Sequence, residues 1–129
     1  MLQPMAPLLD AQGMYLDQLR SKGYFILERI ASQALVDRVT QELEPWFHAT
    51  PNCRGDFYGW NTTRFGAVLL KSRSSHALLL NELILSIMDE VLGPHCDWYQ
   101  LNLSQGIRIH PGERRQAPHR DEEMWPCAK

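Results

Sequence analysis

Long hydrophobic runs, paired cysteines and an excess of basic charge are all missing from this 129-residue chain. No stretch approaches the roughly 18 consecutive apolar residues that cross a bilayer, so no membrane-spanning helix is expected. Lys and Arg number 13 against 15 Asp and Glu, for a net charge of −2. That balance argues against nucleic acid as a partner, which calls for a strong basic surplus. The three cysteines, Cys53, Cys96 and Cys127, are odd in number, widely spaced and without a C-x-x-C pair. Neither a disulfide framework nor a structural zinc site fits them, and they read as ordinary thiols in a reducing compartment. The opening Met1-Leu2-Gln3-Pro4-Met5 has no basic segment before its short apolar stretch, which Asp10 soon interrupts. A secretory leader is therefore not expected, and a cytoplasmic location is. No repeat or low-complexity tract breaks the chain.

Hydrophobic residues make up 44% of the sequence, enough for a packed core, and the length suits one domain of roughly 100–150 residues. Asp10 to Lys22 reads as a helix stopped by Gly23. The short run Tyr24-Phe25-Ile26-Leu27 suits a strand. Ser32 can cap a second helix in which Leu35, Val36, Val39 and Leu43 recur at helical spacing, with Pro45 expected to end or kink it. From Thr50 to Ser75 glycine and aromatic residues alternate irregularly, as in a long structured loop with Ala67 to Leu70 its best extended piece. His76 to Leu92 reads as a third helix with a broad apolar core face, closed by Gly93-Pro94.

Trp98 to His110 changes period. Leu101, Leu103, Ile107 and Ile109 share one parity, while Gln100, Asn102, Ser104 and Arg108 share the other. A strand sends these sets to opposite faces, one apolar and one polar. The polar face suits either a pocket lining or solvent. Pro111-Gly112 then turns the chain into a polar loop that ends at His119-Arg120-Asp121.

His119 and Asp121 form an H-x-D pair. In extended backbone, side chains two apart point the same way, so an imidazole nitrogen and a carboxylate oxygen can share one metal ion. Such a pair provides two corners of the two-histidine, one-carboxylate triad that leaves three positions open on Fe(II). Composition alone yields roughly 0.3 such pairs in a chain of this kind, so the spacing by itself is weak and a solvated turn explains it as well. The neighbourhood is more specific: an alternating strand, a Pro-Gly turn, a polar loop, the pair, then Trp125.

The stretch from Leu101-Asn-Leu-Ser-Gln-Gly-Ile-Arg-Ile-His-Pro-Gly through His119-Arg-Asp to Met124-Trp125 resembles the phytanoyl-CoA dioxygenase family of Fe(II)- and 2-oxoglutarate-dependent oxygenases. Gly55-Asp-Phe-Tyr, Thr63-Arg64 and Leu70-Lys71-Ser72 resemble the branch that contains fungal alkaloid oxygenases, and Gly23-Tyr-Phe-Ile-Leu matches the way such domains begin. The resemblance covers most of residues 10–127. It implies an α+β fold: amino-terminal helices plus the first strands of a double-stranded β-helix, a jelly roll left incomplete. By position it makes His119 and Asp121 iron ligands. It sets Lys71 near 2-oxoglutarate, Asn102 and Ser104 where members contact co-substrate or substrate, and Trp125 beside the substrate. Gln116, just ahead of the ligand pair, is a candidate for the substrate pocket by its position alone. Lys71 serves equally well as a solvated lysine, and core packing is the plainer use of Phe57, Tyr58 and Trp60. The implied chemistry is oxidation of a small organic substrate by O2, with 2-oxoglutarate decarboxylated to succinate.

The family also uses a distal histidine as third ligand and, soon after it, an arginine that grips the far carboxylate of 2-oxoglutarate. Residues 1–129 contain neither after Asp121. The expectation is a single partial domain, the amino-terminal portion of a dioxygenase, inactive alone and prone to self-association through open sheet edges. A non-catalytic binding or regulatory protein that retains half of the fold is the alternative from another class. A two-ligand metal site completed by a second chain is a third.

Overall fold

The computed structural model describes residues 6–121, with residues 6–11 described by their backbone alone. The order of elements is α1 (Ala6–Lys22), α2 (Gln33–Ala49), β1 (Thr62–Gly66), α3 (Val68–Lys71), α4 (His76–Leu79), α5 (Glu82–Leu92), a 3-10 turn at Gly93–His95, and β2 (Gln105–Ile109). The fold is therefore α+β, with α1 packed on α5 and α2 packed across a two-stranded antiparallel sheet.

Local chemistry accounts for most of the boundaries. Gly23, at φ +81, closes α1 by donating its backbone N–H to the Leu19 carbonyl at 2.9 Å. Ser32 opens α2, its hydroxyl accepting from the Leu35 N–H at 3.2 Å. Of the end or kink expected at Pro45, the end does not occur: α2 runs on to Ala49 with the proline inside it. The lost N–H removes one hydrogen bond, and packing of the following Phe47 against Phe65, centroids 4.7 Å apart, holds the last turn in place. The single helix expected over 76–92 is two. Asn81 interrupts it with a side chain that accepts from the Leu83 and Ile84 N–H groups and so starts α5 afresh.

The strand readings also need correction. Tyr24–Leu27 forms no strand, for no neighbour among the described residues pairs with it, and Tyr24 and Ile26 stay exposed. Ala67–Leu70 is not extended: Ala67 turns left-handed at φ 58 and Val68–Lys71 coil into α3. The strand expected over 98–110 shrinks to Gln105–Ile109, with Trp98, Leu101 and Leu103 unpaired and exposed ahead of it.

Strand register sorts the sheet into two faces. Thr62 pairs with Ile109, Arg64 with Ile107 and Phe65 with Gly106. Phe65 and Arg108 point toward α2, where Arg108 forms a two-pronged ion pair with Glu44 and lies 4.0 Å from the Phe47 ring centre. Gly106 is required there, since a Cβ would sit 2.5 Å from the Phe65 ring. Arg64, Ile107 and Ile109 occupy the opposite face, which no helix among the described residues covers. The buried apolar residues, Leu16, Phe65, Val68 and Ile87, make a small core. Accessible surface reaches 10796 Å², against about 7000 Å² for a compact monomer of this mass. Much apolar surface is thus left for something else to cover.

Candidate metal centre

The H-x-D pair is set by a loop that the chain ties down at several points. After β2, Gly112 adopts φ +86 and Glu113 donates its N–H to the His110 carbonyl at 3.2 Å, reversing the chain as expected. The Glu113 carboxylate then reaches back across β1, accepting from the Asn61 N–H, the Thr62 hydroxyl and the Arg114 N–H. Further along, the Gln116 side-chain amide donates to the Phe57 carbonyl at 2.6 Å. Residues 114–121 are thereby strapped to the turn that carries Phe57 and Tyr58.

Within that loop, His119 Nδ1 lies 2.8 Å from the Ala117 carbonyl. A carbonyl only accepts, so Nδ1 is the donor in this contact and Nε2 is the nitrogen turned toward Asp121. Nε2 lies 3.3 Å from Asp121 Oδ1. Two donors at right angles, each about 2.1 Å from one ion, stand about 3 Å apart, and the pair meets that spacing. The His119 side chain is 30% exposed and that of Asp121 85%, so an ion has free access. The donor set fits two corners of an iron triad. Among the described residues no group of three or more His, Cys, Asp or Glu side chains is placed to hold a metal.

The pair sits on the rim of a groove of about 650 Å³ over the uncovered face of the sheet. Ile107 and Ile109 form its floor with Arg64, Phe57 and Tyr58 form one wall, and Leu101, Asn102 and Leu103 form another. Asn102, Gln116, His119 and Asp121 are thus brought to one groove. Lys71 and Ser104 are not among its lining residues. The Lys71 ammonium donates to the Gly66 carbonyl at 2.9 Å and lies 4.8 Å from the Trp46 ring centre, on the side of the sheet that α2 occupies. Ser104 offers its carbonyl to the Val68 N–H at 3.4 Å. Trp125 lies outside the described residues. The apolar parity of β2, not the polar one, faces the groove, because Arg108 is claimed by Glu44 on α2.

Arg64 is the functional candidate that sequence reading did not single out. It lines the groove with its guanidinium carbon 5.9 Å from the Tyr58 ring centre, and its Nε is shut off from solvent with no hydrogen-bond partner among the described residues. The signal was the alternation Thr62-Thr63-Arg64-Phe65, which puts a cation on the face opposite a buried aromatic.

Glu113 gives the loop a pH dependence. Burial raises its pKa, but hydrogen bonds from the Asn61 N–H, the Thr62 hydroxyl and the Arg114 and Trp60 N–H groups outweigh that and hold it below the ordinary 4.5. Ser72 and Ser74 act likewise on Glu42, and Arg108 on Glu44. A carboxyl lowered by folding stabilises the native state above its unfolded pKa and stops doing so as pH falls through the lower native value. The unfolding temperature should therefore hold steady at neutral pH and drop below about pH 4.5. Glu113→Gln should shallow that acid decline without removing it, since Glu42 and Glu44 still contribute. Thermal unfolding followed by circular dichroism across this range checks both.

A model of the phytanoyl-CoA dioxygenase family matches residues 19–129. The chain belongs to this family. Similar proteins include dioxygenase FrzG of Cladobotryum sp, 27% identical over 125 residues that cover 84% of this chain and 40% of the relative. Dioxygenase olcK of Penicillium canescens is 27% identical over 129 residues, 94% of this chain and 41% of the relative. Dioxygenase cdmA of Talaromyces verruculosus is 27% identical over 122 residues, 88% and 42%. The chain thus spans about two-fifths of the length of these relatives. All three of these relatives carry the name dioxygenase. No helix among the described residues is long and apolar enough to cross a membrane.

Proposed function

We propose that this chain is the amino-terminal part of an Fe(II)- and 2-oxoglutarate-dependent dioxygenase that oxidises a small organic substrate, and that it contributes two of the iron ligands. The carrying observation is His119 Nε2 facing Asp121 Oδ1 at 3.3 Å on the rim of the groove, with Nδ1 committed to the Ala117 carbonyl. Iron held there by His119 and Asp121 would supply the activation of O2 that couples conversion of 2-oxoglutarate to succinate and carbon dioxide with oxidation of a substrate carbon.

The residues of the groove divide the remaining work. His119 would offer a ring nitrogen, and the Asp121 carboxylate would offset part of the metal charge. Arg64 presents a fork of donors on an otherwise apolar floor, a match for one carboxylate of the doubly anionic 2-oxoglutarate. Asn102 and Gln116 add amides at the margin, while Ile107, Ile109 and Phe57 keep the floor dry. The longer protein supplies the third ligand and the rest of a jelly roll. That additional sheet covers the face left open here.

Anaerobic calorimetric titration with Fe(II), then with 2-oxoglutarate, tests this reading. Saturable one-to-one Fe(II) binding is expected, and Arg64→Gln should weaken 2-oxoglutarate binding by about tenfold while sparing the metal. Absence of saturable Fe(II) binding would overturn the iron site. By itself the chain is expected to form no succinate. Turnover that vanishes in His119→Ala would show that the distal portion is dispensable.

A further inference from the structure

We propose that Phe57 is a positioning residue that locks the His119 imidazole in its metal-facing orientation. This rests on the iron-site reading above. The hydrogen bond from Nδ1 to the Ala117 carbonyl comes from the histidine's own loop, so it moves wherever that loop moves. A histidine ring also turns about a broad, roughly two-fold torsion, and a half-turn puts carbon where each nitrogen was. Something outside the loop has to fix both the ring and its backbone.

Phe57 does both. Its ring meets the His119 ring edge to face, centroids 5.0 Å apart and planes at 62°. Its carbonyl receives the Gln116 amide at 2.6 Å, three residues ahead of the ligand. Phe57 sits beside the Tyr58 ring in a turn that two hydrogen bonds between its neighbours close. The Tyr58 ring packs against it at 90° and 5.4 Å. The Gly59 N–H closes the turn onto the Gly55 carbonyl at 2.8 Å. Asp56 accepts from the Trp60 indole at 3.0 Å. Rotation of His119 would therefore have to displace a braced aromatic ring. Phe57 touches no proposed reacting atom, and 40% of it is exposed, so its removal leaves the small core intact.

Groups that orient a metal-bound histidine typically change metal affinity by about 10–100-fold. In the 129-residue chain, Phe57→Ala and Phe57→Leu should each weaken anaerobic Fe(II) binding by about tenfold, with Phe57→Tyr restoring it through its ring edge. A metal-free measurement separates this from the iron reading. The carbon-bound imidazole protons of His119 should show ring-current shifts and cross-relaxation to Phe57 in the parent and in Phe57→Tyr. Phe57→Ala and Phe57→Leu should shift and broaden these resonances while the unfolding temperature stays nearly constant. Loss of Fe(II) binding in the parent with the His119–Phe57 signals intact would sink the iron site and leave the positioning role standing. Unchanged His119 resonances in Phe57→Ala, or a tenfold loss that Phe57→Tyr fails to restore, would overturn the role of Phe57.

Discussion

Replacing His119 by alanine is expected to lower the Fe(II) affinity of this chain by at least about a hundredfold. The reasoning is one of number. Among the described residues His119 and Asp121 are the two donors that face each other on the groove rim, so the change removes one of that pair. Even groups that merely orient a ligand are worth tenfold or more, and loss of a ligand exceeds that. Asp121→Asn should also weaken binding, because the amide keeps the shape and discards the charge that offsets the metal. His95→Ala is the matching control, since His95 is exposed and lies outside the groove. Calorimetric titration of the three variants under anaerobic conditions gives the comparison directly. Equal affinity in His119→Ala and the parent would remove the pair from consideration.

Gly59→Ala is expected to cost about 2–5 kcal/mol of stability. Left-handed backbone penalises a Cβ by about 1–2 kcal/mol, and Gly59 sits at φ +91. Space is the second cost: the added carbon would stand 2.4 Å from Glu113 Oε2 and 2.5 Å from Thr62 Oγ1. Relieving that clash displaces the carboxylate that straps the ligand loop to β1, and overpacking of this kind costs about 1–3 kcal/mol. Gly55→Ala isolates the backbone share, because Gly55 is left-handed at φ +119 with open space around it. Urea denaturation should rank the proteins parent, Gly55→Ala, Gly59→Ala in falling order. Equal losses in the two variants would mean that the Glu113 strap carries no weight.

What was legible in the sequence follows from range. Helices α1 and α2 announce themselves through local devices, the left-handed Gly23 and the Ser32 cap, which need no knowledge of the rest of the chain. The Pro111-Gly112 turn and the H-x-D pair are equally local. Elements decided by distant partners were not readable. Tyr24–Leu27 has the residues of a strand and no partner among the described residues, while Thr62–Gly66 is a strand because Gln105–Ile109 lies beside it. Pro45 stays helical because Phe47, two residues on, packs on Phe65 in β1. Asn81 reads as a mid-helix polar residue until its amide oxygen is seen capping α5. At the site, alternation along β2 left its pocket face open, and the choice was made by Glu44, 64 residues away, drawing Arg108 to the other side. The same long-range sorting hid Arg64 and took Lys71 to the far face.

The packing of Phe65 over Gly106 freezes one side of β2, where even a methyl group is refused. On the reverse, Ile107 and Ile109 project into open space and are 44% and 68% exposed. Variation is therefore cheap at odd positions and prohibitive at the central even one. A scaffold of this kind can acquire a new molecular preference by exchanging the outward residues of a single strand, without renegotiating the contacts that keep it folded.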